Sequence, residues 1–545
     1  MKENARLQNA LYNLGAGLQN LAADLPGERP RFVVIELTGR YPARALQRKL
    51  PELLTPRTDS LEEFETKLAA LAQAEWLEGV VFRLGELQVN LATAYALRRA
   101  IARLSEQKTT WAFGTSFDMR SYYVASAARE IVAPESAEWN VLGLALSQTY
   151  LRDALERYGI RFEKIAVREY KTAMDTLTES QMTPYQREQL EALLRSLDRT
   201  FCQEVAASRN TTPETVHGWL EAGVTSSAQA RELGLIDRIG YEDVLLDKQH
   251  HPLAQAARFL KLPLRDAAAR RVAVVSLEGN IIVGKSRRSP LPLPLFGGAQ
   301  AGSETLVRAL RRAERDESTA AVVLYVDSGG GSALASDLIW REVARIRVRK
   351  PVVAVMGALA ASGGYYVLTH AHKVIAAPGT LTGSIGVILG KAILEEFDRK
   401  YGFNREILKS APFADITASS APFSPQERAL LERMATEVYE RFTARVAEGR
   451  GLSRQRVDEI GRGRVWSGAD ALELGLVDEI GDLEVGIARA RELAGLPANA
   501  PTWNVEAPRT LVLPDTSEPQ AVLNYLAPLL RERALLMMPG DLQVY

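Results

Sequence analysis

The sequence predicts an α/β chain built as a tandem duplication, and three observations carry that expectation. Short β-branched runs alternate with amphipathic helical stretches throughout. Segments of the second half answer segments of the first at a near-constant offset of roughly 240 residues, the kind of internal period that decides a fold before finer patterns do. At 545 residues the chain is also too long for one ordinary hydrophobic core.

The matching segments define the repeats. Arg31-Phe-Val-Val-Ile-Glu-Leu-Thr-Gly39 answers Arg271-Val-Ala-Val-Val-Ser-Leu-Glu-Gly279, and Gly79-Val-Val-Phe-Arg-Leu84 answers Ala321-Val-Val-Leu-Tyr-Val326. Tyr122-Tyr-Val124 answers Tyr365-Tyr-Val367, and Glu232-Leu-Gly-Leu-Ile-Asp237 answers Glu473-Leu-Gly-Leu-Val-Asp478. The expected organisation is an N-terminal amphipathic helix over 1–30, a first repeat over 31–245 and a connector over 246–268. A second repeat over 269–495 and a C-terminal tail over 496–545 complete it. Prolines in Ser286-Arg-Arg-Ser-Pro-Leu-Pro-Leu-Pro-Leu-Phe-Gly-Gly298 forbid a helix or a central strand there, leaving a loop or extended segment.

The copies differ where chemistry would sit. The apolar run Pro351–Met356 leads into Gly357-Ala-Leu-Ala-Ala-Ser-Gly-Gly-Tyr-Tyr366, a strand that ends in small residues before a helix-compatible stretch from Tyr365 to Ala371. Such a turn can hold the Ser362 hydroxyl at a helix N-terminus beside backbone N–H groups, which makes it a candidate nucleophile. The strand Ala321–Val326 likewise runs into Asp327-Ser-Gly-Gly-Gly-Ser332 and an amphipathic helix over 334–346. Consecutive glycines turn N–H groups outward, so Gly330 and Gly331 with Gly363 are candidate oxyanion donors. Neither glycine-rich nucleotide-binding pattern is present at this turn. The first repeat has Met119-Arg-Ser121 and Gly85-Glu-Leu-Gln-Val-Asn90 in the two places, so it lacks both nucleophile and glycines.

Composition narrows the remaining classes. Sixty-seven basic residues balance sixty-seven acidic ones, which leaves no electrostatic footprint for nucleic acid. The single cysteine, Cys202, excludes an internal disulfide and a cysteine-based zinc site. None of the five histidines sits in a context like a Ser-His-Asp triad, so a nucleophilic Ser362 needs a different base. No stretch is apolar for the ~18 residues that a membrane span requires, and the first residues lack the order of a signal peptide. A cytoplasmic or peripherally membrane-associated chain is expected. Leu7, Leu11, Leu14, Leu18, Leu21 and Leu25 form one apolar stripe on a helix, which packing onto the chain's own body would use, with an oligomer contact or a membrane surface as alternatives.

Ala361-Ser-Gly-Gly-Tyr-Tyr366, Thr380-Leu-Thr-Gly-Ser-Ile-Gly386 and Gly463-Arg-Val-Trp-Ser-Gly468 with Gly475-Leu-Val-Asp478, in this order and with this duplication, resemble the signal peptide peptidase A family in its long two-copy form. The resemblance implies a Clp-protease/crotonase-like spiral of β-β-α units and a serine–lysine peptidase acting on apolar, signal-peptide-like peptides. It implies no cofactor and no metal. It places the base on Lys171, in Val167-Arg-Glu-Tyr-Lys-Thr-Ala-Met174, with Ser384 as the residue that positions it and Lys409 as the local rival. It also implies a homo-oligomer, a tetramer, with a site shared between neighbouring subunits. The family's Ser-Pro-Gly-Gly is Ser328-Gly-Gly-Gly331 here, a loop that loses the stiffening of proline.

The chemistry can be sized. At pH 7 only about one free lysine in a few thousand is neutral, and a pKa of 7–8 demands a shift of about 3 units, or roughly 4 kcal/mol. Desolvation in a closed interface is the expected cause. Two other readings of the fold stay open: a crotonase-like acyl-CoA enzyme that uses the oxyanion geometry without a nucleophilic serine, and a non-catalytic oligomeric scaffold that binds peptides.

Overall fold

The computed structural model describes residues 2–24, 27–44, 59–245, 250–262, 264, 270–288, 298–505, 535–537 and 543–544. Seven strands of the first repeat are β1 (Phe32–Gly39), β2 (Gly79–Leu87), β3 (Thr109–Gly114), β4 (Glu130–Ala133), β5 (Arg161–Val167), β6 (Arg238–Ile239) and β7 (His250–Pro252). All but β5 form one parallel sheet in the order β7-β1-β2-β3-β4-β6. The second repeat begins with β8 (Arg271–Glu278), β9 (Asn280–Ile282), β10 (Thr319–Ser328), β11 (Gly330–Ser332) and β12 (Val352–Ala361). It continues through β13 (Lys373–Ala376), β14 (Leu381–Gly383), β15 (Val387–Ile393), β16 (Val465–Ser467), β17 (Glu479–Ile480) and β18 (Thr502–Asn504). Its main parallel sheet runs β18-β8-β10-β12-β13-β17, which repeats the first order strand for strand. The chain is therefore the α/β tandem duplication expected.

The central strands are buried on both faces, as parallel strands covered by helices require: Val322, Val323, Val353 and Ala354 have no exposed surface. Side-chain detail repeats as well. The Tyr122 hydroxyl donates to the Leu235 carbonyl at 3.0 Å, and the Tyr365 hydroxyl to the Leu476 carbonyl at 2.9 Å. Arg209 grips Asp237 through two nitrogens, and Arg450 grips Asp478 in the same way. Each repeat carries one 26-residue helix, Pro184–Arg209 and Pro425–Arg450. Thr183 and Ser424 cap their starts ahead of an N1 proline, and left-handed Asn210 and Gly451 close their ends.

Two features differ from the sequence reading. The edge strands β7 and β18 lie in segments read as connector and tail, so each sheet extends beyond its expected repeat. Their three residues are too few to show a strand period. The N-terminal helix forms over Lys2–Ala23, but its leucine stripe does not pack on the body: Leu11, Leu14, Leu18 and Leu21 are 60–70% exposed. Its other face docks instead, through buried Ala16 and Ala23 and through Gln19 and Asn20 amides that donate to carbonyls of Ala257, Leu260 and Leu262. Leu25 and residues 289–297 of the proline-rich insert lie outside the described residues. No described helix is long and apolar enough to cross a membrane.

The paired tyrosines test the equivalence of the repeats. Tyr122→Phe and Tyr365→Phe each strand a buried carbonyl and are expected to cost about 1–3 kcal/mol apiece in urea unfolding. A loss from only one of them would mean that the two cores are not built alike.

Candidate active site

Strand β5 leaves the first repeat and pairs antiparallel with β15 of the second along its whole length, from Arg161 opposite Ile393 to Val167 opposite Val387. Ile165 is buried in the second repeat's core. This crossing carries the next residues, including Lys171, into the second repeat. There, β12 and β14 run parallel with Ala361 beside Gly383, so the residues that follow them, Ser362 and Ser384, emerge side by side. The Ser362 N–H donates to the Gly383 carbonyl at 2.8 Å.

The three side chains meet. Lys171 Nζ lies 2.7 Å from Ser362 Oγ, 2.9 Å from Ser384 Oγ and 2.9 Å from the Ser384 carbonyl oxygen. All three residues are at most 2% exposed. Burial alone pulls the Lys171 pKa well below its ordinary value, with no carboxylate beside it to hold the proton. A neutral amine has two N–H groups and one lone pair. In that form the two N–H groups can reach the Ser384 oxygens while the lone pair accepts the Ser362 hydroxyl.

Backbone strain marks the same place. Ser362 (φ 55°, ψ −115°) and Ser384 (φ 50°) both have positive φ, uncommon for residues with a side chain. Ser362 precedes a single helical turn, Gly363–Tyr366, shorter than the stretch to Ala371 expected from sequence. A Cβ at Gly364 would fall 2.4 Å from the Ser328 carbonyl oxygen, so the serine turn and the glycine loop touch through backbone.

In that loop Gly330 and Gly331 have φ of 102° and 152°. A Cβ on Gly363 would lie 3.1 Å from Gly330 Cα and 3.2 Å from the Gly331 nitrogen, so the three glycines converge. They are not equivalent. The Gly330 N–H donates to Ser328 Oγ at 3.1 Å, and Ser328 Oγ donates to the Gly279 carbonyl at 2.7 Å. Gly330 thus spends its N–H on shaping the loop, and Ser328 supplies the stiffness that a proline would have given.

Lys409, the rival base, is 42% exposed and paired with Asp415 at 3.0 Å, and it is not among Ser362's partners. The expectation of a site shared between neighbouring subunits does not hold for this triad, because Lys171, Ser362 and Ser384 meet within one chain. In the first repeat a buried Met119 occupies the serine's place. His370 lies in a turn and His372 in the bend before β13; the His370 ring nitrogen accepts from Trp340 and the His372 ring nitrogen from the Val352 N–H.

Sequence reasoning missed the clamp around Lys171. The Arg462 carbonyl accepts the Tyr170 N–H, the Arg464 carbonyl accepts the Ser384 N–H, and the Gly463 N–H donates to the Ile385 carbonyl. A Cβ at Gly463, whose φ is 86°, would stand 2.5 Å from the Lys171 nitrogen. The buried Gln189 side chain donates to Thr172 Oγ1 at 2.9 Å and accepts from the Val465 N–H at 3.2 Å. Gly463 stood inside a motif; Gln189 carried no signal, since one glutamine on an amphipathic helix reads as solvated.

The model of Peptidase family S49 matches residues 102–256 and again 344–497. The chloroplastic serine protease SPPA of Arabidopsis thaliana is 30% identical over 84% of this chain and 69% of its own length. Protease 4 of Haemophilus influenzae is 30% identical over 71% of this chain and 65% of its own. Protease 4 of Salmonella typhi is 29% identical over 71% and 64% respectively. The chain thus spans about two thirds of the length of these relatives.

A buried neutral lysine links stability to pH. The unfolded chain binds a proton at Lys171 that the folded chain does not, so stability rises with pH from the depressed folded pKa up to the unfolded value of about 10.4. Measured by urea unfolding against Lys171→Met, the wild type should gain about 1.4 kcal/mol per pH unit inside that window. A pH-independent difference would mean that the amine stays charged when buried.

Proposed function

The chain belongs to peptidase family S49, and from that premise we propose that it is a serine endopeptidase whose Ser362 attacks and whose Lys171 is the base. One observation carries the reading: the 2.7 Å contact between Ser362 Oγ and a fully buried lysine amine that no carboxylate neutralises.

The reaction follows from this arrangement. The neutral Lys171 amine accepts the Ser362 proton as Oγ adds to the scissile carbonyl carbon. Ser384 aims the lone pair by holding both amine N–H groups. The N–H groups of Gly331 and Gly363 stabilise the oxyanion, while Gly330 shapes the loop. Breakdown passes the proton from Lys171 to the leaving amine, and water then cleaves the acyl–serine ester with Lys171 again the base. The proposed substrates are apolar, signal-peptide-like peptides bound in extended form, and the proposed assembly is a homo-oligomer with one complete dyad per chain.

Hydrolysis of an apolar fluorogenic peptide library tests this. Ser362→Ala and Lys171→Ala should each lose about 10²–10⁴-fold in kcat, while Lys409→Ala should match wild type. Unchanged turnover in Ser362→Ala would sink the dyad and favour the acyl-CoA reading. Activity should also rise with pH as Lys171 loses its proton, in one acid limb placed well below pH 10.4. A limb that survives in Lys171→Ala would assign the titration elsewhere.

A further inference from the structure

Among the described residues two side-chain clusters bring three possible metal ligands together, and they differ in kind. Glu65, Asp482 and Glu484 are all carboxylates and already face guanidinium groups, Arg103 on Glu65 and Glu484 and Arg99 on Asp482. That cluster closes as an ion-pair network. Asp198, Cys202 and His217 instead offer a carboxylate, a thiol and an imidazole whose ligand atoms all lie within 4.8 Å of one another.

Asp198 and Cys202 stand four residues apart on one face of the helix Pro184–Arg209, and His217 comes from the next helix, Pro213–Ala222. His217 Nδ1 is 3.3 Å from Asp198 Oδ2, and its Nε2 is 3.5 Å from Glu221. Ligands of one tetrahedral ion, on bonds of about 2.0–2.3 Å, sit about 3.3–3.7 Å apart. The imidazole and the Asp198 carboxylate already have that spacing, and the half-exposed imidazole has room to close on the buried thiol. Glu221 stands where the second nitrogen of a ligating histidine finds the carboxylate that orients it.

The second repeat supplies the contrast. Matching the helix caps, Thr183 with Ser424 and Thr212 with Ser453, puts Tyr439, Thr443 and Asp458 in the places of Asp198, Cys202 and His217. There the Tyr439 hydroxyl donates to Asp458 at 2.7 Å, Arg168 pairs with the same carboxylate, and the Thr443 hydroxyl donates to carbonyls of its own helix. That seam is complete without a ligand. The first-repeat seam holds three groups of ligand chemistry in a negative field. Burial first, then the Asp198 and Glu214 carboxylates, push the Cys202 thiol up to about 12.

We propose that Asp198, Cys202 and His217 form a binding site for one zinc-type divalent cation, with water in the fourth position. Thiolate, imidazole and carboxylate together suit Zn²⁺ better than Mg²⁺ or Ca²⁺, which take oxygen ligands. A lone cysteine rules out a site built on several thiolates, whereas a mixed site needs just one. Coordination releases the thiol proton to solvent. The ion pins the helix of His217 to the helix whose Gln189 holds the lysine segment. The site is independent of the dyad reading and takes no part in the peptidase step.

Zinc titration of the untagged, metal-stripped full-length chain is the test, with Co²⁺ as the spectroscopic probe. One Zn²⁺ should bind per chain, and Co²⁺ should give a thiolate-to-metal charge-transfer band that Cys202→Ser abolishes. His217→Ala should weaken zinc binding by more than about 100-fold, and Glu221→Gln by about 10-fold. Zinc should raise the Tm of the wild type and leave that of His217→Ala unchanged. Absence of stoichiometric zinc, or a cobalt complex with no thiolate band, would overturn the proposal. So would binding that survives both Cys202→Ser and His217→Ala, which would place the ion elsewhere, with the His250–His251 pair first in line.

Discussion

The antiparallel pairing of β5 with β15 is the contact on which the candidate site depends. It spans seven residues of each strand and joins a first-repeat segment to a second-repeat sheet. Register matters in such a pairing, because a one-residue slip would turn every side chain to the other face. Ile165 fixes it by entering the second core. With the register set, Lys171 arrives over the paired ends of β12 and β14, where Ser362 and Ser384 stand side by side. The same packing that places the amine strips it of water. Position and lowered pKa thus have one cause, burial, with no counter-charge beside the amine.

The duplication makes sense of that division of labour. Each repeat keeps the same six-strand order, the same tyrosine-to-carbonyl contact and the same arginine–aspartate clasp. These elements maintain a core and are indifferent to chemistry. Around them the copies have separated, one keeping a buried methionine where the other has a strained serine, and lending its arm instead. Neither half holds the triad alone. The Arg462–Arg464 clamp and Gln189 bind the halves at the level of Lys171, which makes the inter-repeat seam part of the site.

Much of this was legible in the sequence, and the exceptions have physical reasons. The repeats showed through buried strands such as Ala321–Val326 and through the paired tyrosines, because core positions preserve pattern over long divergence. Ser362 and the three glycines were readable because a sharp turn and a close backbone approach admit few residue types. Lys171 was different: no periodicity marked it, and only the resemblance of its surroundings did. The separate role of Gly330 lay beyond sequence, since it turns on a hydroxyl two residues away. The leucine stripe misled for a related reason. An apolar face implies burial, yet the alanines and amides of the opposite face made the better fit to the body.

The central claim is that each chain closes its own dyad, and mixing tests it most directly. Ser362→Ala and Lys171→Ala chains would be unfolded together, refolded together and assayed beside wild type treated in the same way. A dyad closed within one chain leaves every mixed assembly as inactive as its parents. Activity approaching a quarter of the wild-type level, the share expected if serine and lysine came from different chains, would contradict the account.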